Sequence, residues 1–282
     1  MGDDRVLQGR RAALLTKHGK ERVIAPALEK ATGCRVVVHS SYDTDLYGTF
    51  TLETARPGSQ LETARLKAKK AMELLDTDLG VASEGSFGPH PGNPFIPWNR
   101  ELVLLIDDAS RLEVCGEYAG PETNYGQLAA GDWEEAEAFA EKAGFPGHFL
   151  IVSPHTEKAA FVKGISSWEK LREAFLWGTA RSADGCALVQ TDMRAHANPT
   201  RMANIKRAAE DLARRIAQKC PQCRAMGFAV VSCQRGLPCA WCGLPTHEVK
   251  AKVSTCQNCG FTRETPAGRE HADPAWCSFC NP

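Results

Sequence analysis

The last quarter of the chain carries Cys220-Pro221-Gln222-Cys223, Cys239-Ala240-Trp241-Cys242, Cys256-Gln257-Asn258-Cys259 and Cys277-Ser278-Phe279-Cys280. Each Cys-x-x-Cys pair sets two thiolates on one tight knuckle, and two knuckles complete a tetrahedral Zn²⁺ shell. A single pair is compatible with a redox motif, but four pairs in 61 residues point to metal. The expectation is two structural Zn(Cys)₄ sites, closed shells that leave no open position for catalysis. A disulfide framework would need an exported chain. The start, Met1-Gly2-Asp3-Asp4-Arg5, is polar and has no apolar signal core behind it. No run approaches the roughly 18 apolar residues of a membrane span. The expected setting is therefore cytoplasmic, without a membrane partner, where thiols stay reduced.

The gaps between successive pairs are 15, 13 and 17 residues, lengths that suit short β-hairpins. Segments such as Phe228-Ala229-Val230-Val231 are able to return the chain. Sequential sharing is expected: 220/223 with 239/242, and 256/259 with 277/280. Nested and crossed sharing are the alternatives. The whole chain is neutral, yet from Arg201 onward 12 Lys/Arg face six Asp/Glu. That basic tail suggests nucleic acid. However, a Zn²⁺ held by four thiolates is a unit of about −2. Two such units cancel most of the surplus.

A length of 282 residues allows one sizeable core and a small appended module. The expected division is an α/β domain over 1–218 and a β-rich double zinc-ribbon module over 219–282. Apolar runs predict strands near 12–15, 35–38, 78–83, 101–106, 112–118, 148–152, 159–162 and 186–190. Helices are expected over about 20–31, 60–75, 133–143, 168–177 and 199–217. Ser59 with Glu62, Asp132, Ser167 and Pro199 mark the later starts. Positions 41–58 read as a long loop or irregular hairpin. This alternation argues an α/β sandwich around a mixed sheet.

Three segments carry chemistry. Thr16-Lys17-His18-Gly19-Lys20-Glu21 lies where a strand hands over to a helix. Free N–H groups, a permissive Gly and two ammonium groups there form an anion cradle. The spacing is not that of a Walker loop. Ser83-Glu84-Gly85-Ser86-Phe87-Gly88 follows a strand, and an acidic residue there can hold Mg²⁺ or orient water. Glu62-Thr63-Ala64-Arg65-Leu66-Lys67-Ala68 is helical. Lys67 points about 160° away from Arg65, so only one side faces a site. Further along, Arg100 suits phosphate and Trp98 suits stacking. Asp192, Arg194 and His196 end a strand, a frequent ligand position in α/β sheets.

The Thr-x-x-x-Lys turn, the Glu-Thr-Ala-Arg-Leu-Lys-Ala helix and the strand ending in an acidic Gly/Ser turn occur in that order over roughly residues 10–120. This order resembles the inosine/xanthosine triphosphate pyrophosphatase superfamily, notably the branch whose acidic turn is Glu-Ala-Gly. The resemblance implies that Lys20 grips phosphate beside Thr16 and that Glu84 holds Mg²⁺ and positions water. It places Lys67 at the helix lysine of the pattern, with His196 and Arg201 as the nearest match to a base-recognition motif. Lys17 stands where that pattern has Asn, and its doubled acidic residues are reduced to Glu84. The whole chain also resembles a bacterial family of unknown function. The segments Lys-His-Gly-Lys-Glu, Ala-Ser-Glu-Gly-Ser-Phe-Gly-Pro-His-Pro, Thr-Asp-Met-Arg-Ala-His and Ala-Asp-Pro-x-x-Cys-x-x-Cys-Asn-Pro carry that likeness.

Two functions are expected from these features. The first is a Mg²⁺-dependent hydrolase of nucleotides or another phosphate-bearing small molecule. Its catalytic residues are Lys20 and Glu84. Its binding residues are Thr16, Lys17, His18, Gly19, Lys67, Gly85, Ser86, Arg100, Asp192, Arg194, His196 and Arg201. The alternative is a non-catalytic assembly or nucleic-acid-binding protein that stacks bases on Trp241, Phe261, Trp276 and Phe279 of its zinc module.

Overall fold

The computed structural model describes residues 6–42, 58–157 and 159–282. The long loop expected at 41–58 falls almost wholly outside them. Strands β1 (Arg11–Leu15), β2 (Arg35–His39), β3 (Leu79–His90), β4 (Asn93–Asp107) and β5 (Leu112–Gly120) form one sheet in the order β2-β1-β3-β4-β5. β1 runs parallel to β2 and β3, whereas β4 and β5 are antiparallel additions. The sheet is mixed, as the alternation implied.

Strand alternation sorts its core into two faces. Leu14, Leu79, Val81, Val103 and Leu105 pack with Ile24 and Leu28 of helix α1 (Glu21–Thr32) and with Ile205, Ala208 and Leu212 of helix α5 (Pro199–Ala217). Ala82, Leu102, Leu104 and Ile106 meet Ala64, Ala68 and Met72 of helix α2 (Gln60–Leu75) on the other face. Each such Leu or Ile contributes about 1.5–3 kcal/mol on burial. Helices on both sides require strands that are apolar throughout, which is why 79–83 and 102–106 read as unbroken runs. At Gly116 an added Cβ would run into the backbone of Leu212 and Ala208, so glycine there lets α5 lie directly on β5.

A second sheet was not expected. It has the order β6-β9-β7-β8, from β6 (Gln127–Ala130), β7 (Leu150–Pro154), β8 (Val162–Ile165) and β9 (Ala187–Thr191), all antiparallel. Helices α3 (Trp133–Ala143) and α4 (Trp168–Arg181) close its own core around Leu150, Val152, Leu171 and Phe175. The chain then returns through a 3₁₀ turn at Ala195–Ala197 to α5. Asn198 caps α5 by accepting from the Arg201 N–H, with Pro199 in the first turn.

The C-terminal module is a three-stranded antiparallel meander of β10 (Ala229–Arg235), β11 (Val249–Thr255) and β12 (Thr262–Pro266). It sits against β5: the Gln257 side chain donates to the Glu113 carbonyl at 2.8 Å and accepts the Glu113 N–H at 3.2 Å. Met226 joins the main core.

Candidate functional sites: two cysteine clusters and a cationic sheet end

Eight thiols gather into two groups of four. Cys220, Cys223, Cys256 and Cys259 form one, and Cys239, Cys242, Cys277 and Cys280 the other, each with sulfurs within 4.8 Å of one another. The sharing is therefore crossed, first knuckle with third and second with fourth. The sequential expectation is corrected, and with it the picture of two ribbons in series. The cause is that each gap holds one crossing strand rather than a hairpin. A seven-residue strand carries the chain roughly 23 Å, so knuckles one and two end up at opposite ends of β10. In an antiparallel meander, odd knuckles meet at one end and even knuckles at the other.

The clusters fit zinc. A tetrahedral ion with Zn–S near 2.3 Å holds its sulfurs about 3.8 Å apart. The separations are 3.8 Å for Cys220–Cys259, 3.6 Å for Cys223–Cys256, 3.9 Å for Cys239–Cys280 and 3.6 Å for Cys242–Cys277. Disulfides would require about 2.05 Å. The knuckles are built alike: the N–H of Cys220, Cys239 and Cys256 donates to the carbonyls of Ala225, Leu244 and Phe261, all at 2.8 Å. The residue after each of these knuckles, Arg224, Gly243 and Gly260, takes a positive φ. Cys233 is exposed and outside both clusters.

The second site lies where β1 ends, beside the middle of β3. Thr16 is buried, and its hydroxyl accepts from the N–H groups of His18 at 3.3 Å and Lys20 at 3.4 Å. Gly19 supplies a φ of 69° that opens the turn into α1. Lys17 is exposed on the same turn. Lys20 Nζ donates to the Ser83 carbonyl at 2.9 Å and approaches Ser83 Oγ at 3.5 Å.

The segment 83–88, expected as a turn after a strand, lies inside β3, and from Ser83 onward the pleat divides it. Ser83, Gly85 and Phe87 face α1 and α5, whereas Glu84 and Ser86 face α2. Buried Glu84 forms an ion pair with Lys67, and Gln60 donates to the Glu84 carbonyl at 2.8 Å and accepts from Ser86 Oγ at 3.4 Å. Lys20 and Glu84 thus approach β3 from opposite faces. Arg100 binds Glu117 at 3.0 Å on the outer part of the α2 face. Trp98 stacks edge-on against His90, with centroids 4.5 Å apart.

The α5 face holds residues that the sequence reading passed over. Glu101, fully buried, accepts from Arg201 Nε at 2.9 Å and from Asn99 Nδ2 at 3.2 Å. Asn204 donates to Asn99 Oδ1 at 2.8 Å. An added Cβ at Gly85 would penetrate the Glu101 carboxylate, so that position needs glycine. Arg201 also donates to the Met193 carbonyl, and its guanidinium lies 5.4 Å from the Phe87 ring. Asp192 is sealed beneath Arg194, which donates to it through Nε at 3.0 Å. The His18 and His196 rings stack at 5.0 Å and join the first turn to this segment. The one available signal was polar residues at β4 positions of the same parity as the core, in Asn99-Arg100-Glu101.

The electrostatics reflect the crowding. Burial pushes the Lys20 amine down to about 7; Arg201 and Lys67 push the same way, against Glu84 and Glu101. His18 falls to about 3 through burial, then through Lys20, His196, Arg201 and Arg194. His196 is lowered by burial and by Arg194. Cations from three elements therefore converge on the sheet end. Mg²⁺ is a poorer fit than zinc was for the thiols. Glu84 is engaged by Lys67 and Glu101 by Arg201, and the metal-holding clusters among the described residues are both all-cysteine. These side chains build no Mg²⁺ site by themselves.

Residues 67–282 match the family described as a domain of unknown function, DUF6671. The chain belongs to the DUF6671 family. The match takes in both cysteine clusters, Lys67, the Glu84 turn and the Asp192–Arg201 segment, while Lys20 and its turn precede it. No curated protein matches the chain in sequence. Among the described residues of this DUF6671 chain, no helix is long and apolar enough to cross a membrane.

Proposed function

We propose that the sheet end is a binding site for a phosphate-bearing small molecule, a nucleotide by preference, and that the chain hydrolyses its phosphoanhydride. The observation behind this reading is the buried Lys20 amine at the turn into α1, beside His18 and Ser83: burial first, and then the neighbouring cations, lower Lys20 and His18. Lys67, Arg201 and Arg194 already face Glu84, Glu101 and Asp192, so Lys20 is the cation whose burial an added anion would offset. A phosphate chain would restore the proton on Lys20 and lie across the start of α1. Glu84 would accept a proton from the attacking water, and Lys67, now its counter-ion, would move toward the departing phosphate.

The test uses the zinc-loaded full chain against a panel of nucleoside triphosphates and inorganic tripolyphosphate, with and without Mg²⁺. Release of phosphate or pyrophosphate is expected from wild type and not from Glu84→Gln with normal zinc content. No thermal shift and no release with any ligand would reject the reading.

Exposed aromatic residues beside the second cluster favour a second reading, in which the zinc module binds single-stranded nucleic acid. Trp241, Trp276 and Phe279 are 79%, 66% and 72% exposed, whereas Phe261 packs on Phe228. Stacking on such rings is worth about 1–3 kcal/mol per base. Salt-dependent RNA binding by the full chain, lost in Trp241→Ala/Phe279→Ala, is expected. Absence of binding at low salt would remove this reading.

A further inference from the structure

Strands β3 and β4 extend well past their neighbours. β3 pairs with β1 only at Gly80 and Val81, and β4 leaves β5 at Asn99. Beyond that level Gly88–His90 and Asn93–Trp98 pair, among the described residues, only with each other, as a two-stranded arm. A lone hairpin is marginal in water, and this one is apolar. Phe95 is 92% exposed, Ile96 39%, and residues 91–97 are all exposed. From Gly85 to Asn99 there is no Asp, Glu, Lys or Arg, and His90 is the sole ionisable side chain.

The chemistry of the arm selects its partner. Pro89, Pro91, Pro94 and Pro97 lack N–H donors. Neither edge is therefore suited to strand addition, and contact must come through side chains. With no basic residue, the arm offers nothing to phosphate. A charged protein partner would find no complement here. A two-fold contact brings every residue near its own copy, so charges in it repel, and a charge-free aromatic surface is self-complementary. We propose that the arm is a homodimer contact in which Phe95 and Ile96 pack against the same residues of a second copy.

The zinc-loaded full chain is followed by sedimentation velocity and light scattering up to about 100 µM, a range that detects the micromolar affinities of weak interfaces. A species at twice the 30.7 kDa chain mass is expected. Phe95→Asp should weaken the association at least about tenfold, as for a central aromatic anchor, and Phe95→Tyr should retain it. Because Phe95 lies on the surface, zinc content and circular dichroism should not change in either variant. A wild type that stays at the monomer mass overturns the proposal. So does a dimer that Phe95→Asp together with Ile96→Asp leaves intact.

Discussion

Arg201 Nε lies 2.9 Å from Glu101 Oε1, and both side chains are shut away from solvent. This ion pair ties α5 to β4 directly beside Gly85. Glu101 Oε2 is buried with no hydrogen-bond partner among the described residues. Removing the guanidinium alone strands a buried carboxylate, a loss of about 3–5 kcal/mol. Arg201→Met is expected to lower stability by that amount in urea unfolding of the zinc-loaded chain. Arg201→Met with Glu101→Leu should lose clearly less than the two single losses combined. Strictly additive losses would show that the pair does not act as a unit.

Lys20 makes ligand binding depend on pH. Its amine titrates near 7 in the free protein, and a bound anion raises that value. Tripolyphosphate should therefore bind with proton uptake at pH 8. Its affinity should fall as pH rises above 7, beyond what the ligand's own ionisation explains. Lys20→Met should bind more weakly and without that uptake. Calorimetry in two buffers of different ionisation enthalpy gives the proton count, and a count unchanged by Lys20→Met would contradict the assignment.

His18 affects stability in acid. Its folded value is about 3 against an ordinary 6.5, so between these the unfolded chain binds a proton that the folded chain does not. Stability from this group is complete above pH 6.5 and declines as pH falls toward 3. The difference in urea midpoint between wild type and His18→Gln should change across that interval, wild type losing more. A constant difference would falsify the claim that His18 is held neutral.

Crossed sharing gives a counting experiment. Cys220→Ser/Cys256→Ser removes ligands from one site and should leave about one zinc per chain. Cys220→Ser/Cys239→Ser touches both sites and should leave almost none. Sequential sharing predicts the reverse for the two doubles. Metal analysis by mass spectrometry after gel filtration distinguishes the two arrangements.

Much of the architecture was legible because its signals are local. Helices α2, α3 and α5 follow the expected 60–75, 133–143 and 199–217, each marked by a capping residue or a first-turn proline. The cysteine knuckles needed only spacing. Strands were legible where an apolar run was continuous: the expected 12–15, 35–38, 101–106, 112–118, 148–152 and 186–190 all coincide with strands. β3 and β4 run on through Gly and Pro that read as loop, because two-stranded ribbons tolerate proline at positions that donate no ladder bond. β6 is four residues long and β8 was expected three residues early, at 159–162, so the second sheet stayed hidden. In the candidate site, Lys20, Lys67, Glu84, Arg194 and Arg201 were visible by residue type. Glu101, Asn99 and Asn204 were not: the core parity of Asn99 and Glu101 marks them as buried, but nothing local names partners a hundred residues away.

The alternating meander also governs when metal can be captured during synthesis. No two neighbouring knuckles share an ion, so the first pair emerges from the ribosome and waits while a strand and a second unmatched pair follow. Only with Cys259 does the first shell close, and the second waits for Cys280. The nascent module therefore exposes five of its eight ligand thiols before the sixth, Cys259, completes the first shell. Zinc supply late in translation, rather than during the α/β domain, is what this topology makes limiting.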